Sequence, residues 1–535
     1  MMNNPFVFLF LSFLLFSSMG HAQNKAKAHL KLTEGRQEFL KNNYWGALAL
    51  YREAADMDSE NALIAYRIGE CQYALKHYPI AKKYFEEVKA DNPDLDPELP
   101  LMLGLTYHRL AELEKAKESY REYRNNQSES RGRLVNIKAL IDQCDYAADM
   151  MNNAMNVEIQ NLGISMNSRY DDYAPSVTAD GRLLVFTSRR SSGLSNDVDV
   201  NGDYRYFEDI YFSEWDDVNS QWGKAERFSE NVNTPTHDAV LSLSPDGKEL
   251  YVYKNDADRA GDIFKSTFNS VWSEPKKLPR PINSSYFESS VSMTSDGNTL
   301  YFISERPTGL GRGDIYVSQR VSSDSWTKPQ NLGEVINTIG DEKFVFIHPN
   351  GSTLFFASNG HLTMGSYDIF RSELVNGSWT VPINLGYPIN TVNEESTFSM
   401  TADNSKLLIS AEYEDSMGER DIYEVDLSRA DILHSLSIDS KLLASSSNIV
   451  IFGQVTESTT DKPLVFIDIE ARHPDTDALL FVTRTDQKGL YEVNIPRAEE
   501  CVLFLKDRNG DIKRIRVNLK QLDLLESEYR EDIQM

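Results

Sequence analysis

Between residues 191 and 209, side-chain oxygens recur at alternate positions. Asp197, Asp199, Asn201 and Asp203 alternate, Gly202 interrupts them, and Glu208 closes the run. Alternate oxygens converge on one point where the chain turns sharply, which a glycine permits, and a final glutamate can clamp a cation with both oxygens. Such a set suits a hard ion, calcium above all. It would pin a loop rather than drive a reaction. The competing reading is an acidic, turn-rich loop between two strands. A second set of acids, Asp172, Asp238, Glu288, Asp341 and Glu395, stands just before apolar strands at matching points of a repeat. Paired carboxylates can do general acid–base work. Five-fold recurrence reads more simply as a repeated structural feature or a cation-attracting mouth.

Other chemistry is sparse. The chain has no His-Glu-x-x-His, Gly-x-Ser-x-Gly, phosphate-loop or Cys-x-x-Cys motif. Cys71, Cys144 and Cys501 are far apart, odd in number and lack metal-ligand spacing, so core positions are expected rather than a disulfide framework. The expectation is a protein that binds and does not catalyse, with calcium as its one candidate cofactor. The run 197–208 is similar to the EF-hand loop pattern without a mismatch. No amphipathic helix precedes it and Asp209-Ile210-Tyr211 after it reads as a strand, so an EF-hand proper is not expected.

The elements that must hold these acids repeat five times. An Asp-Gly-type turn (Asp180-Gly181, Asp246-Gly247, Asp296-Gly297, Asn350-Gly351, Asp403-Asn404) leads into an apolar strand and then Asp-Ile-Tyr/Phe, at 209, 262, 314, 368 and 421. Turn spacings of 66, 50, 54 and 53 residues match the length of a propeller blade. An apolar-Asn pair follows each outer strand, at Asn233, Asn283, Asn337 and Asn390, and a fifth copy, Asn167, precedes the first unit. Residues 157–162 are therefore expected to complete the last blade by strand exchange, leaving no unpaired edge. The expectation is a five-bladed β-propeller over 156–427.

Upstream, Gly35, Gly69 and Gly104 align, as do Ala47, Ala81 and Ala116 and the aromatics Tyr51, Phe85 and Tyr120, at spacings of 34 or 35 residues. Small residues let two helices pack closely, and the aromatic fills the groove between them. This resembles the tetratricopeptide repeat in three copies, with 131–154 as a capping helix. The repeat implies a concave partner-binding groove. Downstream, a polar link at 428–448 leads to short alternating strands over 449–520, read as a small β-sandwich. Residues 521–535 read as an acidic tail.

Residues 6–19 form one uncharged apolar run, short for a membrane span and followed by Gly20-His21-Ala22. This reads as a signal peptide over 1–22, with the helical domain at 23–155. An uncleaved anchor is the other reading. The net charge of −26 argues against nucleic-acid partners. The fold class expected is multidomain α plus all-β: α-solenoid, five-bladed propeller, small sandwich.

The propeller strands resemble TolB-type, WD40-like repeats. The motifs Gly453-x-Val455, Lys462-Pro463-Leu464 and Gly489-x-Tyr491 resemble the carboxypeptidase regulatory-like domain. That order is similar to PorE-type envelope proteins of Bacteroidetes type IX secretion and gliding machinery, without their OmpA-like peptidoglycan-binding domain. The resemblance implies a scaffold in the periplasm, free or at the outer membrane. It would bind envelope proteins through the solenoid groove and propeller faces. A glycan- or peptide-binding module is the alternative.

Overall fold

The computed structural model describes residues 5–126, 136–192, 198–199, 203–254, 261–322, 325–428, 448–474, 479–485, 488–496, 500–506, 512–519 and 528–535. The chain divides into two compact units, Met1–Ala430 and Asp431–Met535.

The first unit begins with seven helices: α1 (Pro5–Leu40), α2 (Tyr44–Met57), α3 (Ala62–Ala74), α4 (Tyr78–Asp91), α5 (Leu99–Arg109), α6 (Leu113–Asn126) and α7 (Ile137–Asn152). Asn43, Asn61 and Asn136 each accept a hydrogen bond from a first-turn amide, so α2, α3 and α7 begin where the sequence places a capping side chain. The repeated glycines explain the spacing. A Cβ on Gly35, Gly69 or Gly104 would lie 2.5–2.7 Å from the ring of Tyr51, Phe85 or Tyr120 respectively. Each ring is fully buried, as are the three repeated alanines. The result is an α-solenoid of helical hairpins. Gly69→Ala should therefore destabilise by about 1–3 kcal/mol through overpacking, despite alanine's better helix propensity. Urea unfolding would measure it, and an unchanged midpoint would contradict the account of the glycine.

The β part of this unit is five antiparallel sheets. Sheet I has Asp172–Val177, Leu183–Ser188 and Asp209–Asp216, with short strands at its outer edge. Sheets II, III and IV repeat the plan from Asp238–Leu243, Glu288–Met293 and Glu342–Ile347. Sheet V comprises Thr397–Met400, Lys406–Ala411 and Asp421–Asp426, completed by Glu158–Asn161 from upstream. That last strand pairs antiparallel with Asp426–Tyr423, so the expected contribution of residues 157–162 to the last sheet is present.

The repeated residues have local tasks. All five turn positions, Asn404 included, take positive φ. Each asparagine of the apolar-Asn pairs clamps an isoleucine backbone. Asn337 accepts from the Ile315 amide at 2.8 Å and donates to the Ile315 carbonyl at 3.0 Å, and Asn233, Asn283, Asn390 and Asn167 do the same for Ile210, Ile263, Ile369 and Ile422. Asp314, Asp368 and Asp421 accept from loop amides, whereas Asp209 and Asp262 pair with Arg227 and Lys277.

The five-bladed β-propeller expected from the repeats is corrected by this arrangement. The sheets are open: each keeps two edge strands, and none closes on itself into a propeller or barrel. The inner edges meet hydroxyls instead of a strand ladder. Val240 and Leu243 amides donate to Thr187 and Ser176, Val345 and Ile347 amides to Ser290 and Ser292, and Ala174 and Val177 amides to Thr397 and Ser399. Repeat spacing specifies each hairpin, but it does not encode how one sheet meets the next. With no closed propeller, the WD40-like description and the docking role assigned to propeller faces fall too.

Helices and sheets of this unit share a core. Met364 and Val392 pack among Tyr107, Tyr120 and Ala147 of the solenoid. His108 Nε2 bonds the Met364 carbonyl at 2.8 Å, Gln143 donates to Thr363 at 2.8 Å, and Arg109 donates to the Val392 carbonyl. Burial pushes the His108 imidazole down to about 4, so it holds this joint in its neutral form.

The second unit has two open four-stranded sheets. One joins Asn448–Thr456 with Leu490–Pro496, Glu528–Arg530 and Ile533–Gln534. The other orders Leu479–Arg484, Asp468–Arg472, Glu500–Lys506 and Ile512–Asn518. Ile451, Ile469, Val493, Cys501 and Leu503 belong to one core. All three cysteines are buried, and burial pushes each thiol up to about 12. Among the described residues, no helix is long and apolar enough to cross a membrane.

Candidate functional site

Three places carry candidate chemistry: the acidic insertion of sheet I, the cavity between the sheets, and the open face of the solenoid. In the insertion, Asp197 and Asn201 lie outside the described residues. Asp199, Asp203 and Glu208 are brought together, but their oxygens already meet protein groups. Arg189 forks onto both oxygens of Asp203, and the Arg205 amide donates to one of them at 3.1 Å. Burial alone would raise the Asp203 carboxyl, yet the Arg189 guanidinium holds it below its usual range. Tyr173 donates to Glu208 at 3.1 Å, and the His237 ring spans from Glu208 to Asp199. Among the described residues, no group of three or more His, Cys, Asp or Glu side chains is arranged to hold a metal.

The acids before the inner strands are architectural. Asp172, Asp238, Glu288, Glu342 and Glu395 are all but fully buried, and each accepts from the Ser or Thr four residues earlier. In sheet IV the repeated position is thus Glu342, not Asp341. Three of the five have a cation: Arg190 on Asp172, Lys254 on Asp238, Arg306 on Glu288. Among the described residues, Glu342 and Glu395 have no ion pair, and burial pushes each carboxyl up to about 7.

Above them lies a cavity of about 420 Å³ lined by residues from or beside the first strands of all five sheets. Its walls carry Tyr173, Tyr253, Phe287, Phe344 and Tyr367, with Arg312, Lys343, Arg420, Glu305 and Asp341 among them. Arg420 forks onto Asp171 at 2.6 and 2.8 Å and lies 4.2 Å from the centre of the Tyr173 ring. Lys343 pairs with Glu394. Burial opposes ionisation there, yet the Lys343 ammonium brings the Glu394 carboxyl down to about 2. Tyr367 donates to Asp341 at 2.6 Å. Sequence reasoning found Asp341 but missed the aromatic residues, which stand at positions that do not repeat.

On the solenoid, α5 and α7 face the sheets, as His108 and Gln143 show. The neighbouring face of α1 and α3 carries Arg36, Arg67 and Glu70. Arg67 pairs with Glu70 at 2.5 Å, Arg36 lies 3.9 Å from Glu70, and Arg36 Nη1 is buried without a hydrogen-bond partner. Leu40, Trp45 and Ile80 are exposed nearby in sequence.

Residues 39–104 match the family model of the tetratricopeptide repeat. No curated protein matches the chain. Among solved structures, the first repeat domain of Spaghetti (RPAP3), bound to an HSP90 peptide, is 18% identical, covering 23% of this chain and 95% of that one at a TM-score of 0.21. The Sgt2 repeat domain of Aspergillus fumigatus is 19% identical, covering 24% and 82% at 0.21. TolB of Acinetobacter baumannii is 14% identical, covering 54% and 70% at 0.32. These weak, partial likenesses carry no argument about the β part. The open sheets overturn the resemblance to PorE-type proteins and its sequence of named domains. Residues 39–104 are a tetratricopeptide-like helical repeat, the part of the chain that a family model places.

Proposed function

We propose that this chain is a non-enzymatic scaffold that binds protein partners through the α1–α3 face of its helical repeat. The observation that carries the reading is the repeat itself. Stacked hairpins present an extended surface, and here α5 and α7 are already engaged by the sheets, while among the described residues α1 and α3 make no bond to them and Lys76, just past α3, pairs with Glu412 at 3.4 Å. Arg36 Nη1, buried without a hydrogen bond and 3.9 Å from Glu70, suits an acceptor supplied by a partner. The apolar run at 6–19 and its small-residue end support export, and a periplasmic site belongs to this reading. A secretion or gliding assembly is one machine this role would fit.

A photo-crosslinking residue at Trp45 in cells tests the reading, with Val218, an exposed turn residue of sheet I, as the comparison site. The expected result is a discrete protein adduct from position 45 that disappears with Arg36→Glu. Equal adducts from both positions, or none from position 45, would overturn it.

A further inference from the structure

The cavity between the sheets has the chemistry of a small-ligand site, and its reading does not depend on the scaffold role. We propose that it binds a neutral saccharide. Its volume of about 420 Å³ lies in the range of ligand pockets, roughly 300–1,000 Å³. Tyr253 and Phe287 form a tilted pair with ring centres 6.0 Å apart, and Tyr367 and Tyr173 stand elsewhere on the wall. Aromatic faces carry partial negative charge, which suits the C–H face of a sugar ring.

The polar groups decide the ligand's charge. Every cation on the wall already has an anion: Arg420 has Asp171, Lys343 has Glu394, Arg312 has Glu305 at 3.2 Å. An anionic ligand would have to break one of these pairs, leaving a carboxylate unmatched. What remains uncommitted is neutral or accepting. Among the described residues, the hydroxyls of Tyr253 and Ser289 make no hydrogen bond, and Asp341 has one donor, Tyr367, and no ion pair. Hydroxyls and a carboxylate of this kind match the paired donors and acceptors of a polyol. A cationic side chain could also seek Asp341, but the rings and free hydroxyls of the same wall offer it no partner, whereas a sugar uses both.

The test is calorimetric titration of the full chain with cellobiose, maltose and N,N′-diacetylchitobiose, and separately with a lysine-containing tripeptide amide. At least one disaccharide should bind with Kd at or below about 1 mM. Asp341→Asn and Tyr253→Ala should each weaken it by roughly tenfold or more. Tyr253→Phe, which keeps the ring and loses only the hydroxyl, should weaken it less than Tyr253→Ala, and unchanged melting temperatures would show intact folds. The proposal is overturned if no disaccharide binds up to about 10 mM, if only the tripeptide binds, or if both substitutions leave sugar affinity unchanged.

Discussion

Replacing Glu342 and Glu395 by glutamine should stabilise the protein at about pH 8 and leave it nearly unchanged at about pH 4. Both carboxyls are buried at the start of inner strands without an ion pair, and burial pushes each to about 7, against 4.5 for a free glutamate. Below the free value both folded and unfolded chains hold the proton, so nothing is lost. Between 4.5 and about 7 the unfolded chain releases it and the folded chain keeps it, so stability falls as pH rises. Above about 7 the full penalty applies, on the order of 3 kcal/mol per carboxyl for a rise from 4.5 to about 7. Asp368, beside Glu395 and also raised by burial, adds to the same slope.

Glutamine copies the protonated acid. At Glu342 one oxygen faces the Thr338 amide and the other faces the Thr338 and Ser358 hydroxyls. The amide oxygen takes the first place and the amide nitrogen donates to hydroxyls that can turn to accept. Glu395 is arranged alike around Thr391. Guanidinium unfolding at several pH values would show the wild-type free energy falling more steeply between about pH 5 and 8 than that of the double variant, which keeps the Asp368 contribution. Equal slopes in the two proteins would refute the account. Glu394 works in the opposite direction: held near 2 against burial by Lys343, it contributes stability that is lost as pH falls below about 4.5.

The same two residues show where sequence reading ended. Asp341 and Glu342 are adjacent acids, and only strand register decides that Glu342 occupies the buried repeated point and Asp341 the cavity wall. Local signals were legible: the Gly–aromatic helix spacing, the positive-φ turns, and the pairing of 157–162 with the last sheet. Each depends on short-range stereochemistry or on a repeat that aligns with itself. Partners across long separations were not. His108 and Met364 are 256 residues apart, and nothing in either local sequence marks the bond. The acidic insertion was legible as a cluster, but Arg189 and His237, which engage its oxygens, carry no motif. The open sheets were missed for a related reason. Ser176, Ser290, Ser292 and Ser399 look like ordinary strand residues, yet their hydroxyls take the amides that a continuous ladder would have used.

Asn167→Ala should be among the most damaging single changes in the first unit. Its side chain accepts from the Ile422 amide at 2.8 Å, donates to the Ile422 carbonyl at 2.9 Å, and donates to Asn161 at 2.9 Å. Alanine leaves the buried Ile422 amide unpaired, at roughly 1–3 kcal/mol, and takes one of two donors from the Ile422 carbonyl, which keeps the Leu162 amide at 3.2 Å. Asn337→Ala removes the same pair of bonds at Ile315, whose carbonyl keeps the Leu332 amide at 3.1 Å, so a similar loss of roughly 1–3 kcal/mol is expected there. The two should differ in where the damage appears. Asn337 and Ile315 are 22 residues apart, whereas Asn167 joins a partner 255 residues away and sits beside the strand Glu158–Asn161 that completes sheet V. Hydrogen exchange in Asn167→Ala should therefore accelerate in Glu158–Asn161 and Asp421–Asp426 together, while Asn337→Ala accelerates exchange in sheet III. Asn167→Asp supplies the chemical control. Its carboxylate still accepts from the Ile422 amide but opposes the carbonyl, and a proton restores the donor. Its deficit should shrink in mild acid, whereas the alanine deficit should not. Loss of less than about 0.5 kcal/mol in Asn167→Ala would show that the clamp is replaceable by water and that the last sheet is held by its apolar core alone.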